Sequence, residues 1–295
     1  MDVLRTPDEA LRRAARLALR AAVPAAPRRR NGVHYVDEGP RDAPVTVLAL
    51  HGNPSWACLY GHMIPVFTAA GLRVVAPDLV GFGRSDKPAD PDFHSFAFHR
   101  GQLLSLVEGR DLKNILLACQ DWGGIFGLTL PMAWPERFTR LLVMNTGLGT
   151  GEVTEGFRQW RAYSNAQPDL AVGKLFRRGK PDMTAAEAAA YDAPFPEATY
   201  KAALRAFPNL VPDGENAPGA RLGRQALEFW RDTWAGQSFM AIGMQDPVLG
   251  EAPMKSLQKI IRGCPPPMEV AEAGHFVQEW GAPIAHAALA HFGLA

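Results

Sequence analysis

From residue 32 onward the chain alternates between short, densely apolar runs and stretches of helical period. Residues 45–50 (VTVLAL) are an unbroken β-branched and aliphatic run, the pattern of a strand buried on both faces of a parallel sheet. Comparable runs follow at residues 72–78 (LRVVAPD), 113–120 (KNILLACQ), 138–145 (FTRLLVMN), 237–243 (QSFMAIG) and 267–273 (PMEVAEA). Residues 32–39 (GVHYVDEG) read as an opening edge strand, closed by the turn residues Gly39 and Pro40. Helical segments such as residues 96–107 separate the strands. Strands alternating with helices require crossover connections, so the pattern predicts an α/β fold with a mostly parallel, doubly wound sheet.

The alternation stops between residues 150 and 230. That span has no strand-like run, and its short helical patches are punctuated by Pro168, Pro181, Pro194, Pro196, Pro208, Pro212 and Pro218. The economical expectation is one sheet domain, residues 1–149 and 231–295, interrupted by a helical cap of residues 150–230. Near the start, residues 11–30 are rich in Arg and Ala, and Arg16 and Arg20 break the apolar stretch that a secretory signal needs. They read as a basic surface helix followed by a Pro/Arg linker.

Composition narrows the function. In 295 residues, 47% are hydrophobic and 21% charged, which excludes a disordered chain. Thirty-one basic against thirty acidic residues leave a net charge of +1, so nothing favours nucleic acid or another polyanion. The cysteines, Cys58, Cys119 and Cys264, are too few and scattered for a disulfide framework or a zinc site. No apolar run has the ~18–20 residues that span a bilayer, and a cytoplasmic, monomeric protein acting on a small neutral or apolar molecule is expected.

In open parallel sheets ligands bind beyond the carboxyl ends of the strands, so the residues placed there carry the candidate chemistry. Asp121 follows the third buried run, with the small residues Cys119 and Gly123 two places to either side. That spacing suits a sharp strand–turn–helix elbow, where bulky flanks would clash. A serine is usual at such a bend. An aspartate is already ionised at neutral pH and attacks without a base, which suits displacement at saturated carbon. The plainer role for Asp121 is to cap the helix starting at Trp122. Asp246 and His275 follow the last two strands, as an orienting acid and a general base or, alone, as turn and helix-start residues. The order nucleophile, acid, histidine is that of the α/β-hydrolase fold. Trp122 places an indole beside the nucleophile, and an indole N–H only donates, so in an apolar pocket it can hold a departing anion.

The segments HGNP, DLVGFGRSDKP, QDWGG, AIGMQD and AGHFVQEW together resemble the haloalkane dehalogenases of the α/β-hydrolase superfamily. The likeness extends to RTPDEA near the N-terminus and to the cap stretch FRQWRAY through AAYDAPFPEATYKAALRAFP, and so covers nearly the whole chain. It implies Asp121 as nucleophile, His275 as base, Asp246 as acid, and Trp122 with Trp160 as the halide-binding pair. It points to the subfamily whose first-described member handles 1,2-dichloroethane. Related subfamilies place the acid after the strand before the cap, where this chain has Asn145. Where close relatives carry Glu between HG and P this chain has Asn53, which would supply its backbone N–H alone or bring its side-chain amide to the halide as well.

The resemblance further implies a small haloalkane as substrate, with water, and an alcohol, halide and proton as products. Backbone N–H groups of Trp122 and Asn53 would form the oxyanion hole. Phe157, Ile125, Phe126, Val248 and Leu249 are the expected pocket residues, and no metal or organic cofactor is implied. The nearest rival is an epoxide hydrolase, which would protonate its leaving oxygen through Tyr163, Tyr191 or Tyr200. A non-catalytic binding protein on the same fold is the rival of another class. A serine esterase is disfavoured, because Ser55 and Ser85 lie outside the elbow.

Overall fold

A computed structural model of the chain describes residues 2–11, 28–30 and 32–295. Its strands are β1 (Val3–Leu4), β2 (Arg28–Arg30), β3 (Val33–Glu38), β4 (Thr46–Leu50), β5 (Arg73–Pro77), β6 (Lys87–Pro88), β7 (Ile115–Gln120), β8 (Phe138–Met144), β9 (Gln237–Gly243) and β10 (Met268–Val270). Eight form one sheet in the order β10-β9-β8-β7-β4-β5-β3-β2, while β1 and β6 pair separately. From β10 to β5 every neighbouring pair is parallel; β3 and β2 run antiparallel.

Period-two alternation explains why these apolar runs are strands. Leu48 and Leu50 of β4, and Ile115, Leu117 and Cys119 of β7, join one apolar cluster. Val47, Ala49, Leu116 and Ala118, the residues between them, join the other. Each strand therefore buries both faces, and burial of one such large side chain contributes about 1.5–3 kcal/mol. Leu103 and Leu106 of the helix Phe96–Gly109 pack on the first face, while Ile284 and Leu289 of the C-terminal helix Gly281–Phe292 cover the second.

Residues 32–39 do not form the edge that their position suggested. β3 is flanked by β2, with Arg28 opposite Tyr35 and Arg30 opposite Val33. Residues 28–30, expected within a linker, thus carry the outermost strand. Backbone pairing holds an edge strand, and charge is common there, so a run of arginines gives no apolar signal of it. The rest of the expected basic helix, residues 12–27, lies outside the described residues.

Between β8 and β9 run the helices Glu155–Asn165, Val172–Gly179, Ala185–Asp192, Ala202–Leu210 and Ala220–Glu228. Local chemistry starts two of them. Thr154 accepts from the Phe157 N–H, and Thr184 and Glu187 form a reciprocal capping box. Val172, Phe176, Leu204 and Phe207 carry the apolar side of this segment onto the first cluster. The sheet order reverses between β4 and β7, since β5 lies on one side of β4 and β7 on the other. The loops after β4 and β7 therefore face one crevice.

Candidate active site

Asp121 sits at the end of β7 with φ 50 and ψ −127, a backbone that side-chain-bearing residues rarely adopt. Neighbouring groups hold it there. Its N–H donates to the Asn145 carbonyl at 3.0 Å, and its own carbonyl accepts from Thr146 Oγ1 at 2.6 Å and from the Gly124 and Ile125 N–H groups. Close approach explains the glycines. A Cβ at Gly123 would lie 2.0 Å from the Leu50 carbonyl oxygen, and one at Gly52 would lie 2.1 Å from Asp121 Oδ1. The Asp121 carboxylate makes no cap bond to the helix Trp122–Gly127. Instead Oδ1 accepts from the Asn53 N–H at 2.8 Å, and Oδ2 lies 3.4 Å from His275 Nε2.

Loops after β9 and β10 bring Asp246 and His275 to the same crevice. His275 Nδ1 donates to Asp246 Oδ2 at 2.7 Å, and the Val248 N–H donates to Asp246 Oδ1 at 2.8 Å. Burial pushes the Asp246 carboxyl up, but the charge and hydrogen bond of His275 outweigh it and hold the group below the usual carboxylate range. Burial likewise pulls the His275 imidazole down; Asp246 and Asp121 outweigh that and raise it to about 10.

A cavity of about 960 Å³ opens on these groups. Asn53, Asp121, Trp122, Asp246 and His275 line it, as do Ile125, Phe157, Trp160, Val248 and Leu249. Phe126, expected in the pocket, is not among the lining residues. It is fully buried behind the indole of Trp122, with ring centroids 4.8 Å apart, because one further helical turn carries it into the core. Trp56, Trp230 and Trp234 spend their N–H groups on Ala190, Leu128 and Ser238. Trp122, only 2% exposed, and the half-buried Trp160 donate to no protein acceptor among the described residues. Both indoles line the cavity.

The rival chemistries find little support in this arrangement. Of the three tyrosines, only Tyr163 lines the cavity, at 39% exposure. Tyr191 is buried and donates to Glu279, and Tyr200 packs against the core. The Ser55 and Ser85 hydroxyls donate to the Gly52 and Asp78 carbonyls.

Two site residues have roles that the sequence did not reveal. Asn145, set aside as no carboxylate, donates from Nδ2 to Asp246 Oδ2 at 3.0 Å and accepts from the Gly243 N–H at 2.8 Å. Gln120, fully buried before the elbow, contacts His275. The available signal was a polar residue closing a buried apolar run: Gln120 ends β7, and Asn145 follows the last four buried residues of β8.

The parallel sheet, the elbow and the three strand-end side chains define an α/β hydrolase, and the model of the alpha/beta hydrolase fold family matches residues 45–282. A haloalkane dehalogenase of Psychrobacter cryohalolentis is 44% identical over 253 residues, covering 84% of this chain and 82% of the relative. One from Mycolicibacterium paratuberculosis is 39% identical over 95% of this chain and 94% of its own. Among solved structures, the tetrameric haloalkane dehalogenase DpaA of Paraglaciecola agarilytica NO2 superposes with a TM-score of 0.95 at 46% identity, each chain fully covered. The chain belongs to the haloalkane dehalogenases.

Proposed function

We propose that this protein hydrolyses the carbon–halogen bond of small haloalkanes to an alcohol, a halide and a proton, through an alkyl ester on Asp121. The observation that carries the reading is the Asp121 carboxylate itself. It is unspent on its helix, held by the Asn53 N–H, and faces a cavity lined by two unpaired indoles.

Asp121 attacks the carbon bearing the halogen; the new carbon–oxygen bond forms as the carbon–halogen bond breaks, and the halide leaves with the electron pair. Negative charge thus moves from carboxylate to halide. The Trp122 and Trp160 N–H groups bind it best where it ends, which favours the transition state over bound substrate. Esterification neutralises Asp121 and removes one of the two carboxylates that raise His275. The ring's hold on a proton weakens accordingly, and the neutral imidazole is the base for the second step.

His275 takes a proton from water, and the hydroxide adds to the ester carbonyl carbon. The N–H groups of Asn53 and Trp122 hold the oxyanion, and Asp246 keeps the ring in its Nδ1-protonated tautomer. Collapse breaks the acyl–oxygen bond. The alcohol oxygen takes the proton from the imidazolium, and the re-formed carboxyl group releases its own proton on returning to carboxylate. Residues 150–230 serve as the cap that closes the cavity over the sheet.

One chain supplies every group in this scheme, so we take the active unit to be a monomer. Size-exclusion chromatography distinguishes it from a tetramer such as that of the Paraglaciecola relative. Among the described residues no helix is long and apolar enough to cross a membrane. A reducing cytoplasm suits the free, buried Cys58, Cys119 and Cys264.

The test is trapping. His275→Ala incubated with 1,2-dibromoethane should gain the mass of an alkyl adduct on the peptide containing Asp121, and Asp121→Ala should gain none. Halide release by Asp121→Ala at the unsubstituted rate would overturn the reading. Turnover of styrene oxide without halide release from 1,2-dibromoethane would move the protein to the epoxide hydrolases.

A further inference from the structure

We infer that Gln120 is a positioning residue for His275, its side-chain amide donating to the imidazole Nε2 and holding the ring as a neutral base for ester hydrolysis. The inference rests on the reading of Asp121 and His275 given above. Gln120 is fully buried at the last position of β7, immediately before the elbow. Its Nε2 lies 2.9 Å from His275 Nε2 and 3.0 Å from the His275 carbonyl oxygen. A carbonyl only accepts, so the atom facing it must be the amide nitrogen rather than its oxygen. One amide hydrogen goes to that carbonyl and the other points at the ring nitrogen.

Such a hydrogen can be accepted only by a lone pair. The contact is therefore favourable when Nε2 is unprotonated and unfavourable when it carries hydrogen. Asp246, on Nδ1, already places the one hydrogen of the neutral ring on the far side. Gln120 and Asp246 thus grip opposite edges of the imidazole and specify the same tautomer.

The charged groups that face the ring are Asp246, from the loop after β9, and Asp121, from the elbow. Glu152 and Arg178 of the inserted segment line the same cavity. In the free protein the Asp121 carboxylate favours a protonated Nε2 against Gln120. After esterification that charge is gone while the Gln120 donor remains. Gln120 therefore acts chiefly on the second chemical step, lowering the pH at which the alkyl-enzyme gains a working base, and leaves halide displacement to Asp121 and the indoles.

Gln120→Met removes the donor at similar length, and Gln120→Glu replaces it with a carboxylate that favours a protonated ring. Rapid quenching with 1,2-dibromoethane separates bromide burst from ester decay in the full chain. The burst rate should be unchanged, while ester decay slows on the order of tenfold, as for loss of one hydrogen bond to a buried neutral acceptor. The acid limb of the decay profile should move to higher pH, further for Gln120→Glu than for Gln120→Met. Equal slowing of both steps, or an acid limb that stays in place, overturns the inference.

If neither variant folds, nitrogen NMR of the unsubstituted alkyl-enzyme decides. An unprotonated, hydrogen-bonded Nε2 supports the role, and a protonated or unbonded Nε2 overturns it. Failure of the covalent reading is told apart because the unsubstituted protein would then accumulate no ester, and this inference would fall with it.

Discussion

Trp160 and His275 show how much single side chains are asked to do. Trp160→Phe keeps the apolar body and removes one anion donor. Bromide release in the displacement step should slow by about 1–3 kcal/mol, roughly five- to a hundred-and-fifty-fold, and stopped-flow halide detection checks it. His275 couples to stability as well. Its folded value, about 10, stands above the ordinary 6.5, so protonation favours the folded chain. That contribution is whole below about pH 6.5 and is lost as the pH climbs towards about 10. The melting temperature of the unsubstituted protein should therefore fall more steeply across that window than that of His275→Gln. At this scale the sequence was legible where residue type implies reaction, as for Asp121, Asp246 and His275, which the fold brings together. It was opaque at Gln120 and Asn145, whose amides matter through hydrogen bonds that only the tertiary arrangement creates.

The strand–turn–helix elbow is the element on which the site depends, and its two tight glycines should fail differently. A Cβ at Gly123 meets the Leu50 carbonyl of the neighbouring strand, which cannot yield without moving the sheet. Gly123→Ala should lose stability and activity together, seen as a lowered melting temperature. A Cβ at Gly52 meets the Asp121 side chain instead. Gly52→Ala should lose activity on the order of a hundredfold with a smaller fall in melting temperature, because the Asp121 side chain, rather than the sheet, is what must shift. Circular dichroism beside halide release separates the two outcomes. The strands were readable because burial on both faces leaves unbroken apolar runs, as in β4 and β7. β2 was not, since three arginines held by backbone pairing to β3 carry no such run. Phe126 was misplaced for a related reason, since composition does not say how far along the helix Trp122–Gly127 the cavity reaches before the core begins.

For the whole molecule, the cavity between sheet and inserted helices sets the choice of substrate. At about 960 Å³ it far exceeds a two-carbon dihalide, and Ile125, Phe157, Val248 and Leu249 supply apolar wall along it. Terminal haloalkanes of longer chain, such as 1-bromohexane, should therefore be turned over with higher kcat/KM than 1,2-dichloroethane; a graded panel scored by free halide checks this. In the proposed mechanism an oxygen of the protein, not of the solvent, first joins the substrate carbon. A single turnover in heavy-oxygen water, with enzyme in excess, measures it directly by mass spectrometry of the alcohol. The alcohol should carry ordinary oxygen, with the heavy isotope left in Asp121. Heavy oxygen in the alcohol from the first turnover would mean direct attack by water and would contradict it.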